Sequence, residues 1–165
     1  RAFSVGKMEA MIQYLLGRGR AIYKTNLNKL LFYSDLTAYY LRGSGISGAV
    51  YLNRPYGPVA DPAAEVLDDL VEQGRVTVAE RTKHFVAASD VPANLDDEDL
   101  RILDWVLETY GDMGAREISD HSHDERAYRD TRPNEPIAYR YSQYFRHLPP
   151  KNLLTEGQLV NSDLE

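Results

Sequence analysis

The sequence predicts an α+β fold, a mainly helical single domain with a small antiparallel β-hairpin. First, apolar residues recur at helical spacing in residues 5–17, 25–43, 61–74 and 96–111. Second, residues 75–87 alternate polar and apolar side chains and are rich in β-branched types, which is typical of a hairpin. Third, 165 residues with 43% hydrophobic side chains and no long linker suit one domain with its own core.

Residues at the helix ends support these four segments. Ser4 and Asp96 are suitable N-caps for the first and fourth helices, and we expect Thr25 to cap the second. Asp61 followed by Pro62 predicts the start of the third helix, since proline is favoured in the first helical turn.

The remaining chain predicts shorter elements. Residues 49–53 favour a short strand, after which Pro55, Gly57 and Pro58 indicate irregular backbone. A short helix is expected at residues 115–121, while residues 137–145 fit either a helix or a strand. We therefore expect a domain over residues 1–148 and a flexible polar tail over residues 149–165.

Composition excludes several functional classes. The chain contains no cysteine, so disulfides, thiolate metal sites and cysteine catalysis are absent. No apolar stretch approaches the roughly 20 residues that span a bilayer, and no signal peptide is visible. The chain begins with arginine rather than methionine, so we expect that an upstream segment has been removed.

Charge is distributed unevenly along the chain. Residues 1–54 carry a net charge of +6, residues 55–125 carry −13, and residues 126–165 carry +1. Because nucleic-acid binding needs a continuous basic face, the acidic middle disfavours nucleic acid as the main ligand. The acids either form ordinary solvated helix faces or complement a basic partner.

The first candidate site is the segment that contains Lys29, Tyr33 and Asp35. Leucines and aromatic residues surround much of this helix, so we predict that it is central in the fold. Two interpretations remain open. The charged residues either flank a core helix or point, with Tyr33, into a groove used for binding.

The second candidate site is the loop formed by Pro55, Tyr56, Gly57 and Pro58. Two prolines around a glycine restrict the backbone, and the loop presents the Tyr56 side chain. A rigid aromatic group loses little entropy on docking, which favours a binding anchor. The alternative is a packed turn before the third helix.

The third candidate site contains His121, His123 and Asp124, which together raise the possibility of a metal-dependent enzyme. Histidines two residues apart point in nearly opposite directions on a helix or strand, so only a loop brings both to one ion. We therefore favour a buried or capping role for His123 and expect neither a cofactor nor catalysis. A hydrolase using Ser119 or Ser122 lacks the required G-x-S-x-G motif.

The fourth candidate is residues 126–146, which combine five arginines with several tyrosines. This mixture is typical of protein interfaces, but it also suits stacking on single-stranded nucleic acid. Packing of the aromatic residues on the core is the third possibility.

Three blocks, in order, resemble the Panacea-domain family of SocA-like antitoxins. They read TNLNKLLFYSD at residues 25–35, GAVYLNRPYGPV at residues 48–59, and LDWVLETYGDMGAREISDHSHDERAYRDT at residues 103–131. The positions that match the family pattern are Lys29, Leu30, Leu31, Tyr33, Asp35, Tyr56, Gly57, Pro58, Gly111, Ser119, His123 and Thr131. The chain differs from the family pattern at three positions. Gly114 stands where a capping serine is common, Tyr128 where tryptophan is usual, and His121 where the family has an apolar residue.

The resemblance implies a cytoplasmic bacterial or phage antitoxin that neutralises a cognate toxin protein by direct contact. It also implies that some members deliver the toxin to a ClpXP-type protease and that some carry an extra N-terminal domain. We predict partner-binding roles for the matching positions that lie in the candidate sites, namely Lys29, Tyr33, Asp35, Tyr56, Pro58 and His123. The alternatives are the metal-dependent enzyme and a regulatory interaction domain that has lost its toxin partner.

Overall fold

The computed structural model describes residues 2–18 and 20–155 and confirms the predicted α+β fold. In this part of the chain, the helices are α1 (Val5–Arg18), α2 (Lys24–Arg42), α3 (Ala63–Glu72), α4 (Asp97–Tyr110), α5 (Ala115–His123), α6 (Arg126–Arg129) and a 3-10 helix (Tyr139–Tyr144). The strands are β1 (Tyr51–Arg54), β2 (Gly57–Ala60), β3 (Val76–Val78) and β4 (Phe85–Ala87). None of these helices has the length and apolar character needed to cross a membrane.

Helix α2 forms the centre of the fold, as predicted. It packs against α1, α4, α5, β2 and the 3-10 helix. Leu30, Leu31, Phe32 and Leu36 cover successive sides of α2 and are all buried. A helix that is apolar around its circumference must be covered on every side, which explains why the other elements surround it.

The buried carboxylate of Asp35 connects α2 to the loop that leads into β1. The backbone N–H groups of Ile46 and Ser47 each donate to Oδ1 at 2.7 Å. The Ser47 and Tyr51 hydroxyls each donate to Oδ2 at 2.6 Å. Burial raises the pKa of Asp35, and these hydrogen bonds oppose that effect because they stabilise the charged carboxylate.

A second buried carboxylate, Asp99, joins α4 to α1 and α2. Its Oδ2 lies 2.6 Å from Lys7 Nζ, and its Oδ1 lies 2.7 Å from an Arg42 guanidinium nitrogen. Asp96 caps α4 as predicted, because its Oδ1 accepts the Asp99 backbone N–H at 2.8 Å. The acidic run at residues 96–99 therefore both caps a helix and pairs with two basic residues.

The first residues of α1 and α2 confirm one further predicted cap and correct another. Ser4 caps α1, since its Oγ accepts the Lys7 backbone N–H at 3.1 Å. The Thr25 prediction is wrong, because α2 begins at Lys24 with Tyr23 as its N-cap. Asn26 explains the earlier start: its Oδ1 accepts the Tyr23 backbone N–H at 2.6 Å.

The predicted hairpin over residues 75–87 is confirmed as the antiparallel pair of β3 and β4. The prediction of irregular backbone after β1 is wrong for residues 57–60, which form β2 and pair antiparallel with β1. Pro58 is tolerated in β2 because its partner Asn53 bonds outward, from its N–H to Glu135 O and from its carbonyl to the Asn134 N–H. The N–H that proline lacks would therefore have no ladder partner here.

The segment after α6 folds back over the domain. Tyr139 donates its hydroxyl hydrogen to Ala49 O at 2.6 Å, and Phe145 is buried against Phe32 and Tyr33. The first part of the predicted tail, residues 149–155, also contacts the domain, with Lys151 Nζ over the Tyr40 ring. Residues 156–165 of that tail lie outside the described residues, and the flexible tail stays a prediction for them.

Replacing Asp35 with asparagine tests the importance of the buried carboxylate. The Asp35→Asn side chain would place an N–H donor against Ser47 and Tyr51, so we expect the free energy of unfolding to fall by about 2–3 kcal/mol. Urea unfolding followed by the fluorescence of the single tryptophan, Trp105, measures this change. Ser47→Ala, which removes one donor, should cost about 1 kcal/mol; equal costs for the two variants would contradict a central role for the carboxylate.

Candidate functional site

The most prominent surface feature is the turn between β1 and β2. Arg54 pairs with Gly57, so Pro55 and Tyr56 form a two-residue turn. The Tyr56 side chain is 77% exposed, more than any other large hydrophobic side chain in the described residues. The hairpin therefore presents an aromatic group to solvent at its tip.

Two side chains of α5 bond to the backbone of this turn. His123 Nε2 lies 2.8 Å from Pro55 O, and Ser119 Oγ donates to Tyr56 O at 2.6 Å. His123 Nδ1 also lies 2.6 Å from Ser119 O, so both ring nitrogens face carbonyl oxygens. Because carbonyl oxygens only accept, a neutral ring donates to one of them, whereas a doubly protonated ring donates to both.

Two further side chains bond to the ends of the turn. Tyr128 on α6 donates its hydroxyl hydrogen to Arg54 O at 2.7 Å. Lys29 on α2 donates from Nζ to Pro58 O at 3.0 Å. The carbonyl oxygens of residues 54, 55, 56 and 58 thus all face a nitrogen or hydroxyl of a helix side chain, an arrangement that we call the carbonyl clamp.

Lys29 is the most buried donor of the clamp, with 1% of its surface exposed. Burial lowers the pKa of Lys29 to about 8, because the charged ammonium loses its hydration. Gly57 lies directly above it with φ of +112°. A Cβ on Gly57 would lie 2.5 Å from Lys29 Cε and 2.7 Å from Ser122 Oγ, so this position requires glycine.

The three predicted site residues of α2 are buried and face different neighbours. Lys29 contacts the hairpin, while the Tyr33 ring stacks on Tyr110 with centroids 4.0 Å apart. Asp35 bonds to the loop at residues 46–48. These side chains do not line an open groove together, and their predicted roles in partner binding stay predictions. Pro58 is also buried and contributes its carbonyl to the clamp.

The structure separates the two histidines of the proposed metal-dependent enzyme. His123 faces the hairpin, whereas the His121 ring stacks on His147 with centroids 5.2 Å apart. Within residues 2–18 and 20–155, no group of three or more His, Cys, Asp or Glu side chains is arranged to hold a metal ion. The Ser119 and Ser122 hydroxyls both donate to backbone carbonyls, so neither bonds to a catalytic base.

Comparison with known families decides the family of this chain. The profile described as "Antitoxin SocA-like, Panacea domain" matches residues 27–128, more than half of the chain. The chain belongs to this family. No curated protein and no solved structure matches the chain.

Membership in the Panacea family supports an antitoxin role. The matched residues extend from α2 to α6 and include all four helix side chains of the carbonyl clamp, namely Lys29, Ser119, His123 and Tyr128. The clamp is therefore contained within the part of the chain that defines the family. Tyr128 differs from the tryptophan of the family pattern, yet it contacts both Arg54 O and the His123 ring.

Sequence reasoning missed one supporting residue of the Panacea domain, Asn53. Its buried side-chain amide donates to Tyr128 O at 2.8 Å and to Thr131 O at 2.9 Å, which fixes the end of α6 against β1. Its position in β1 could have indicated this role. Alternate residues of a strand share one face, so the polar Asn53 lies on the same face as the buried Tyr51.

The arginine-rich segment packs partly on the core, which is one of the three roles predicted for it, and its roles in binding protein or nucleic acid stay predictions. Tyr139 packs inward, as a core role requires. Arg126 lies over the Tyr144 ring at 4.1 Å and pairs with Asp130 at 3.1 Å, while Tyr144 stays 45% exposed. The segment therefore supports the core and adds an exposed aromatic group to the surface.

Gly57→Ala tests the close approach between the hairpin and α2. We expect a loss of about 2–4 kcal/mol in unfolding free energy, since the new methyl group combines an unfavourable φ with a clash against Lys29. Gly74→Ala is the matched control, because Gly74 has φ of +75° and a Cβ there would meet nothing within 4 Å. The control should cost only about 1 kcal/mol. Equal losses measured by urea unfolding would contradict the close approach.

Lys29→Met tests the burial of the ammonium group. In the unfolded chain Lys29 binds its proton up to about pH 10.5, whereas the folded protein releases it near pH 8. Below pH 8 the buried charge therefore lowers the unfolding free energy by its full amount, and this loss disappears as the pH rises to 10.5. The unfolding free energy of the wild type relative to Lys29→Met should increase by up to about 3 kcal/mol over this range. A difference that is independent of pH would contradict this interpretation.

Proposed function

We propose that this domain neutralises a cognate toxin protein by direct contact, with the Tyr56 hairpin as the centre of the interface. The observation that carries the proposal is the exposed Tyr56 side chain on a backbone held by the carbonyl clamp. Exposed tyrosines are frequent interface hot spots. A turn that is already fixed also loses little conformational entropy when the partner binds.

The other predicted partner-binding residues support this role from beneath the surface. Lys29, Pro58 and His123 belong to the clamp and determine where Tyr56 lies. Tyr33 and Asp35 are buried in the core around α2. In this proposal these five residues act through the position of the hairpin, and Tyr56 makes the contact.

The charge of α3 gives the proposal a preferred partner surface. This helix directly follows β2 and carries exposed Glu65, Asp68, Asp69 and Glu72, with no basic residue. Because α3 packs against β2 of the same hairpin, its acidic side chains favour a toxin with a basic surface, since complementary charges accelerate and orient association.

Delivery of the toxin to a ClpXP-type protease is a further activity that the family resemblance implies. It would be recognised by a fall in the amount of toxin when the protease is present. A metal-dependent enzyme receives no specific support from the described residues. A regulatory domain without a toxin partner would leave the adjacent gene harmless when it is expressed alone.

The central test is co-expression of this chain with the toxin candidate encoded beside its gene. Expression of the toxin alone should stop growth, and the wild-type domain should restore growth and co-purify with the toxin. Tyr56→Ala should weaken the complex about 30-fold in Kd, which corresponds to the loss of about 2 kcal/mol expected for a hot spot. Calorimetric titration measures the change in Kd.

Tyr144→Ala is the matched control, because it removes another exposed tyrosine from a different element. Tyr56→Ala should keep the wild-type melting temperature. Tyr144→Ala should lower it only slightly, because Arg126 loses its contact with the ring, and this control should keep wild-type Kd. Wild-type affinity in a folded Tyr56→Ala variant would remove the hairpin from the interface. Rescue of growth without a complex would contradict direct neutralisation.

A further inference from the structure

A small cavity opens at the C-terminal end of α2, beside the loop that leads into β1. Its volume is about 140 Å³, and it is lined by Tyr39, Gly43, Ser44, Gly45, Gly48 and Tyr139. The rings of the two tyrosines meet edge to face with their centroids 5.8 Å apart. A Cβ on Gly45 would lie 2.9 Å from Tyr139 Cε2, so the glycine backbone borders this ring directly. We call this cavity the tyrosine slot.

The buried carboxylate of Asp35 lies next to the tyrosine slot. The same Cβ position on Gly45 is 2.9 Å from Asp35 Oδ1, so one glycine separates the slot from the carboxylate. The hydrogen bonds to Asp35 come from neutral donors, namely backbone N–H groups and hydroxyls. In the described part of the chain, no lysine or arginine forms an ion pair with Asp35. Buried charges are usually paired, whereas dipoles alone stabilise this one.

The helix end and the rings add to the negative potential at the tyrosine slot. The C-terminal end of a helix carries partial negative charge, and α2 ends at Arg42, directly before Gly43 of the slot. The faces of tyrosine rings are also electron-rich. The field of Asp35 reaches the wall of the slot, since burial and then the charge of Asp35 raise the pKa of Tyr139. The slot therefore favours a cation.

Basic side chains on the neighbouring elements contact other groups. Arg42 pairs with two acidic residues of α4, and Arg140 lies over the Tyr141 ring at 5.1 Å. Lys151 Nζ lies 3.8 Å from the centre of the Tyr40 ring, so a tyrosine of α2 already contacts one lysine ammonium. None of the six residues that line the tyrosine slot carries a charge. A cation for the slot would therefore come from another molecule.

We propose that the tyrosine slot receives a lysine side chain of the protein partner. A lysine ammonium is compact and ends a flexible apolar stem, which suits a narrow cavity. Its contact with tyrosine rings strengthens when the cation loses water, and Asp35 would attract the same charge across Gly45. That the partner is the toxin rests on the proposed function, whereas the preference of the slot for an ammonium group does not.

Titration of the full chain with Nα-acetyl-lysine-N-methylamide tests the tyrosine slot without the toxin. The amide signals of Gly43, Gly45 and Gly48 in proton–nitrogen NMR spectra report on its lining. We expect saturable shifts with a Kd of roughly 10–50 mM, as for one desolvated cation over an aromatic ring. The norleucine analogue, which lacks only the ammonium group, should bind at least about 10-fold more weakly. Equal shifts from both compounds, or no shift of these three signals, would overturn the proposal.

Tyr39→Leu tests whether the aromatic wall holds the ammonium group. This variant should lose the shifts caused by the lysine compound. Tyr40→Leu is the matched control, because Tyr40 is the next residue of α2, is also half-buried and does not line the slot. The control should bind the lysine compound as the wild type does. Wild-type shifts in a folded Tyr39→Leu variant would place the compound elsewhere and contradict the proposal.

Calorimetric titration with the toxin tests the identity of the partner. Tyr39→Leu should weaken the complex about 5-fold in Kd, whereas Tyr40→Leu should leave the Kd unchanged. An unchanged Kd in Tyr39→Leu would show that the toxin does not use the slot and would overturn that assignment. A toxin that forms no complex with the wild-type domain would instead contradict the proposed function, because the lysine titration does not involve the toxin.

Discussion

The tight turn between β1 and β2 is held from outside the hairpin by hydrogen bonds to its carbonyl oxygens. At residues 54–58 the donors come from side chains of three different helices, α2, α5 and α6. The hairpin and these helices therefore depend on one another for their positions. The Tyr56 side chain takes no part in these contacts and stays exposed. Its exposure on a fixed turn is the basis for proposing that the turn binds the partner.

Helix α2 connects this surface to the core because its polar side chains form hydrogen bonds or ring contacts with three separate parts of the structure. Lys29 holds the hairpin, Tyr33 stacks in the aromatic cluster, and Asp35 orders the loop before β1. Buried polar groups in these positions are costly unless they are bonded, so each one restricts the arrangement of its neighbours. The α2 residues that match the family pattern are thus explained by packing and hydrogen bonding, and the proposed contact surface lies on the adjacent hairpin.

The sequence predicted the elements that depend on local periodicity and capping, including α1, α4 and the hairpin of β3 and β4. It did not predict β2, because Pro58 is acceptable only where Asn53 bonds to residues 134–135, a tertiary arrangement. For the site, the exposed Tyr56 was predictable from its rigid loop. The buried position of Lys29 was not, since its hydrogen-bond acceptor, Pro58 O, lies in a strand 29 residues along the chain. Asn53 was missed for the same reason, as its partners lie far along the chain.

The structure of this domain in complex with its toxin tests the central claim most directly. The account predicts that Tyr56 is buried by the toxin and that the backbone of residues 54–58 moves by no more than about 1 Å from its position in the free protein. It also predicts that the donors from Lys29, Ser119, His123 and Tyr128 remain on the same carbonyl oxygens. A complex in which Tyr56 stays exposed, or in which the hairpin leaves its donors to bind, would contradict the account.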